Sequence, residues 1–101
     1  MVYTITVHLC CNDKPDSVTR LKAKLVEAAH IYRQDQGTVD WLVMQDVKDP
    51  KAFTIVERFE KEESQKFHLE NPYWKTFDPA VIPLLDRPMD LRRHQELEMT
   101  A

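Results

Sequence analysis

At 101 residues the chain is long enough for one domain, spanning 1–101, with a single core and little room for a deep enclosed cavity. A composition of 43% apolar and 31% charged residues is that of a soluble globular protein, and a net charge of −3 offers nucleic acid no basic stripe. No apolar run nears the ~20 residues that span a bilayer, and the N-terminus lacks a basic-then-apolar signal layout, so a cytoplasmic protein with no membrane partner is expected.

Residues 2–10 alternate, with Tyr3, Ile5, Val7 and Leu9 on one side and Thr4, Thr6, His8 and Cys10 on the other, which predicts a strand with one strongly apolar face. Adjacent Cys10 and Cys11 point to opposite faces and have no CxxC spacing, so they read as packing plus one exposed thiol. Asn12 to Ser17 supplies turn and capping chemistry. Val18, Leu21, Leu25, Ala28, Ala29 and Tyr32 then recur at helical spacing, and Gly37, the sole glycine, suits the left-handed position that ends the helix.

A second strand is expected from Thr38 to Val47, with Val39, Trp41, Val43 and Val47 on one face and Leu42 and Met44 on the other. Asp49–Pro50 turns the chain into a third strand, Ala52 to Phe59, and so short a connection implies antiparallel pairing. The acidic stretch from Glu60 opens a helix running to about Glu70. Asn71 caps the next helix with Pro72 at its first position and Tyr73, Trp74 and Phe77 along it. Pro79, Pro83 and Pro88 punctuate a loop, and a last strand is expected over about Asp90 to Met99.

The order β-α-β-β-α-β, with the second helix broken in two, gives an α+β, ferredoxin-like fold: a four-stranded antiparallel sheet with helices on one face. Apolar residues left on the uncovered face call for a second copy, so a sheet-to-sheet homodimer is expected.

With those elements placed, Gly37, Trp41–Leu–Val–Met–Gln–Asp46, Asp49–Pro50, Phe53–Thr–Ile–Val–Glu57–Arg–Phe59 and His68 form a recognisable pattern. It resembles the antibiotic biosynthesis monooxygenase (ABM) domain family of dimeric α/β barrels, which includes quinol monooxygenases, over nearly the whole chain. In that family a Gly ends the first helix, an Asp-Pro turn joins strands two and three, a Glu closes strand three and a His lies on the following helix. The resemblance implies a cofactor-independent monooxygenase that deprotonates a phenolic or quinol-type aromatic, whose electron-rich ring then reacts with O₂. The superfamily also holds isomerases and members without known activity, so a non-oxidative isomerase, cyclase or dehydratase, or a non-catalytic ligand-binding dimer, stays open. Haem-degrading members carry an Asn on strand one where this chain has His8, which speaks against haem.

His68 is the expected general base, since imidazole titrates near neutrality with little tuning. Its structural alternative is a hydrogen bond to Glu57 or Glu70. Asn71 is a candidate oxyanion donor that competes with its capping role. Trp74 is the third candidate catalytic residue, and Tyr73, Phe59, Phe77 and His8 are candidate substrate-binding residues. Trp41 reads as packing, and Glu57–Arg58 as an ion pair across the sheet or dimer. His8, His30, His68 and His94 show no i,i+4 or HxH spacing, so no metal is expected.

Overall fold

The computed structural model describes residues 1–99. Four strands, β1 (Tyr3–Cys10), β2 (Thr38–Gln45), β3 (Ala52–Phe59) and β4 (Asp90–Gln95), form one sheet in the order β2-β3-β1-β4, with every neighbouring pair antiparallel. Three helices accompany it: α1 (Ser17–Tyr32), α2 (Gln65–Glu70) and α3 (Trp74–Val81), with short 3₁₀ turns at Glu62–Ser64 and Ile82–Leu84. This is the expected ferredoxin-like arrangement. No helix among the described residues is long and apolar enough to cross a membrane.

The period-two pattern of β1 resolves as read. Tyr3, Ile5, Val7 and Leu9 are buried under the helices, where Leu21, Leu25, Ala28, Ala29 and Tyr32 of α1 meet Phe53, Ile55 and Phe59 of β3. Cys11 is buried, Cys10 is partly exposed, and both are free thiols.

Four local expectations are corrected. Helix α1 stops at Tyr32, so Gly37 is no helix terminator; it sits at φ +81° in the turn that enters β2. In β2 the register shifts between Thr38 and Asp40, which leaves Val39 exposed, and Val47 lies in the turn beyond the strand. Pro79 lies inside α3 instead of opening a loop, and the chain from Val81 to Leu84 stays helical, because burying Val81 and Leu84 outweighs the hydrogen bond that Pro79 lacks. Strand β4 ends at Gln95, and Leu97 and Met99 beyond it are exposed.

The sheet face away from the helices carries Thr6, His8, Leu42, Met44, Thr54, Val56, Arg92 and His94. Arg58 also points there and grips Glu96 through Nε–Oε2 at 2.7 Å and Nη2–Oε1 at 3.0 Å, while the Thr4 hydroxyl donates to the same carboxylate. Arg58 therefore forms an ion pair across the sheet, but Glu57 takes no part in it.

Candidate active site

Antiparallel register places Trp41, Glu57, Ile5 and Arg93 side by side in one row across the helix-covered face. Glu57 is thereby committed to the interior, at 5% exposure. Above the row, α2 lowers His68 until its Nε2 stands 3.5 Å from Glu57 Oε1. The imidazole is packed edge-on against Tyr32 with ring centroids 4.1 Å apart, and Phe59 and Trp41 lie at 5.9 and 6.3 Å.

Helix α2 contributes no fully buried residue of its own, so its position depends on its ends. At the leading end, Ser64 packs onto Gly37, and the Glu60 N–H donates to the Gly37 carbonyl at 2.9 Å. At the trailing end, Asn71 Nδ2 donates to Asp35 Oδ1 at 2.8 Å, while Asn71 Oδ1 accepts from the Tyr73 N–H at 3.0 Å. Both ends are thus tied to the connection between α1 and β2.

Beside His68 and Glu57 opens a cavity of about 450 Å³. Its walls are mainly aromatic and aliphatic, from Tyr32, Trp41, Trp74, Phe77, Ile55 and Leu91, and its polar groups are Glu57, His68 and Asp78. The size and the sparse polar groups are those of a small-molecule site. A larger hollow of about 720 Å³ lies on the open sheet face around His8. Several of its polar groups are already engaged: His8 Nδ1 and Thr54 Oγ1 are 3.1 Å apart, and Cys10 and Arg87 donate to neighbouring Asp86. The buried titratable pair singles out the smaller cavity.

Burial sets the protonation of that pair. It pushes the Glu57 carboxyl up to about 7, offset in part by the Trp41 indole N–H nearby and by the positive charge of Arg93. It pulls His68 down to about 4. Burial, with the carboxylates of Asp78 and Glu57, also holds the Tyr32 phenol well above its ordinary value. At neutral pH the imidazole is therefore uncharged, and the carboxyl is the group poised between its two states. Trp41 Nε1 and His68 Nδ1 are buried without a hydrogen-bond partner, the indole lying outside bonding geometry to Glu57.

Of the candidates named from sequence, His68, Trp74 and Phe77 meet on the cavity wall. Tyr73 turns the other way, its hydroxyl on Glu27 and its ring beneath the Lys24 ammonium at 4.9 Å. Phe59 is fully buried and supports His68 from behind. Asn71 has both ends of its amide engaged by Asp35 and Tyr73, and His8 lies on the opposite sheet face. Sequence reasoning passed over Glu57, Trp41 and Tyr32 as site residues. The signal was available for Glu57: it is the one charged residue among the inward positions of β3, between Phe53, Ile55 and Phe59.

The family model for antibiotic biosynthesis monooxygenases matches residues 4–80. The chain belongs to that family. Solved structures from several organisms share its fold. A protein from Mycobacterium tuberculosis superposes with a TM-score of 0.85 at 17% identity, covering 100% of both chains. A provisionally named antibiotic biosynthesis monooxygenase from Deinococcus radiodurans gives 0.83 at 22% identity, covering 100% of this chain and 97% of its own. Another so named from Nitrosomonas europaea gives 0.86 at 18% identity, covering 95% of this chain and 99% of its own. At these identities the likeness establishes the ABM fold. No protein of curated function matches the sequence. Among the described residues of this ABM-family chain, no group of three or more His, Cys, Asp or Glu is placed to hold a metal ion.

Proposed function

We propose that this protein is a cofactor-independent monooxygenase acting on a phenolic or quinol-type aromatic small molecule, with His68 and Glu57 handling the proton. The observation that carries the reading is a buried imidazole–carboxyl contact opening onto an aromatic-walled cavity of about 450 Å³. Removing the phenolic proton makes the ring electron-rich enough to reduce O₂; one oxygen atom enters the ring and the other leaves as water, the four electrons coming from the substrate. The protein's part is deprotonation, stabilisation of the oxyanion and exclusion of water; Glu57 and His68 serve the first two, and the cavity's apolar walls serve the third. Trp74 and Phe77 supply faces on which a planar ring stacks. An isomerase or dehydratase on a small keto compound would be better served by a more polar pocket.

The reading includes a homodimer formed through the open sheet face, where Leu42 and Val56 sit opposite each other on neighbouring strands. Oxygen uptake with a panel of hydroquinones and anthrones, in buffer free of metal and flavin, tests the activity. The expected result is uptake by the wild type and a large loss in His68→Ala. Equal rates for the two proteins would remove His68 from the proposal, and no uptake, or conversion that proceeds without oxygen, would overturn the oxygenase reading.

A further inference from the structure

We propose that Glu57 is the catalytic base of this site and that His68 serves it as a neutral hydrogen-bond donor. The assignment rests on the proposed phenolic substrate but is argued from an independent fact, the position of a carboxylate that the fold does not otherwise use.

A carboxylate at 5% exposure is costly unless a cation or several donors compensate it. Glu57 has neither. Arg58 beside it in sequence points to the other sheet face and is taken by Glu96. Arg93 shares the row, but its guanidinium makes no hydrogen bond or ion pair with any described residue, and it acts on Glu57 only through its field. The remaining polar neighbours are the Trp41 indole N–H on β2, the Tyr32 phenol on α1, Asp78 on α3 at the cavity wall, and His68 on α2. None of them binds the carboxylate closely. Purely structural packing would favour an apolar side chain here, as at Phe53, Ile55 and Phe59 on the same strand.

The spacing points to what is missing. Nε2 and Oε1 at 3.5 Å are further apart than a well-formed N–H···O bond. A substrate hydroxyl placed between them can reach both. In the step we assign, the substrate O–H bond breaks and its proton goes to Glu57 Oε1. The electron pair stays on the substrate oxygen, which accepts a hydrogen bond from His68 Nε2–H. The site carries one negative charge before the step, on Glu57, and one after it, on the substrate. Had the imidazole taken the proton, three charges would stand together in an apolar cavity. His68 Nδ1 has no partner to which it could donate, so the single proton of the neutral ring belongs on Nε2. Burial agrees with the division: the carboxyl held at about 7 matches the proton affinity a base needs in neutral water, and the imidazole at about 4 does not.

Two measurements on the 101-residue chain test this. The first is an NMR titration of the Glu57 carboxyl carbon and the His68 ring nitrogens, with Glu57→Gln providing the assignment. Glu57 is expected to titrate near neutrality while His68 stays uncharged to well below it; protonation of His68 at a higher pH than Glu57 overturns the proposal whether or not a substrate is turned over. The second is the pH profile of kcat/KM for oxygen uptake with 2-methyl-1,4-naphthohydroquinone. The wild-type rate is expected to rise through neutrality, and Glu57→Gln to abolish that rise and lower the rate ~10²–10⁴-fold. Glu57→Asp retains the rise at a reduced rate, and His68→Gln slows turnover but keeps it. A Glu57→Gln protein that keeps the rise and stays within about threefold of wild type, where base catalysis is worth at least ~10², overturns the proposal. Absence of turnover in the wild type, with Glu57 titrating as expected, would sink the oxygenase reading alone.

Discussion

Gly37 and Ser64 approach so closely that a β-carbon at position 37 would lie 2.6 Å from Ser64 Cβ and 2.8 Å from its Oγ. The obstacle is next to the Ser64 backbone, so no side-chain rotation relieves it. Gly37 also sits at φ +81°, where a side chain is strained. Gly37→Ala is therefore expected to destabilise the fold by about 2–4 kcal/mol, combining the left-handed penalty with overpacking. Urea unfolding checks this, and a midpoint change equivalent to under about 0.5 kcal/mol, the usual size of an inconsequential surface change, would contradict the contact. Because Ser64 leads into α2, the same substitution is expected to disturb His68.

The case of Gly37 shows where sequence reading reached its limit. The need for a left-handed residue was visible in the one glycine of the chain, but its reason was a helix start 27 residues away in sequence, which no local pattern records. Strands β1 and β3 were legible because one face of each is buried, so polarity alternates. Helix α3 was obscured by Pro79, a residue that ends most helices but here gives way to the burial of Val81. His68 was legible as an imidazole in an aromatic neighbourhood. Glu57 was read with Arg58 because they are adjacent, yet adjacent strand residues face opposite ways, and that geometry separates the ion pair from the site.

Asn71 joins Asp35 to α3, and its loss is expected to register first as a loss of stability. Asp35 Oδ2 is already buried without a partner, and Oδ1 depends on the Asn71 amide. Asn71→Ala leaves the carboxylate with no side-chain donor and is expected to cost about 1–3 kcal/mol. Asp35→Asn combined with Asn71→Ala should cost less than the two single changes added together, a coupling that thermal or urea melts of the four proteins will read. If Asn71 instead bonds a substrate oxygen, Asn71→Ala would abolish turnover while Asp35→Asn leaves it unchanged.

Leu42 and Val56 form a cross-strand apolar pair on the open sheet face, flanked by Thr6 and Met44. In the proposed homodimer this pair lies at the centre of the interface, where a buried unpaired charge is strongly unfavourable. Val56→Asp is expected to convert the dimer to a folded monomer, seen by light scattering coupled to gel filtration and by an unchanged far-UV circular dichroism spectrum. A wild-type protein that is already monomeric at micromolar concentration would remove the dimer from the proposal.

The burial of Glu57 and His68 leaves a signature in stability that is independent of catalysis. Glu57 goes from 4.5 to about 7 on folding, so between those values the folded chain holds a proton that the unfolded chain has released. Its contribution is complete below 4.5 and is lost as the pH rises through 7. His68 goes the other way, from 6.5 to about 4, so there the unfolded chain holds the extra proton and stability is gained as the pH rises from 4 to 6.5. Each swing amounts to at most about 3 kcal/mol, and over their common range from 4.5 to 6.5 they oppose each other. The wild type should show little pH dependence from this pair. Glu57→Gln unmasks the rise due to His68, and His68→Gln unmasks the fall due to Glu57. Urea unfolding of the three proteins across this range checks the signs: parallel curves would mean that neither group changes its proton affinity on folding, and a flat curve for one variant would mean that burial does not act on the group that variant retains.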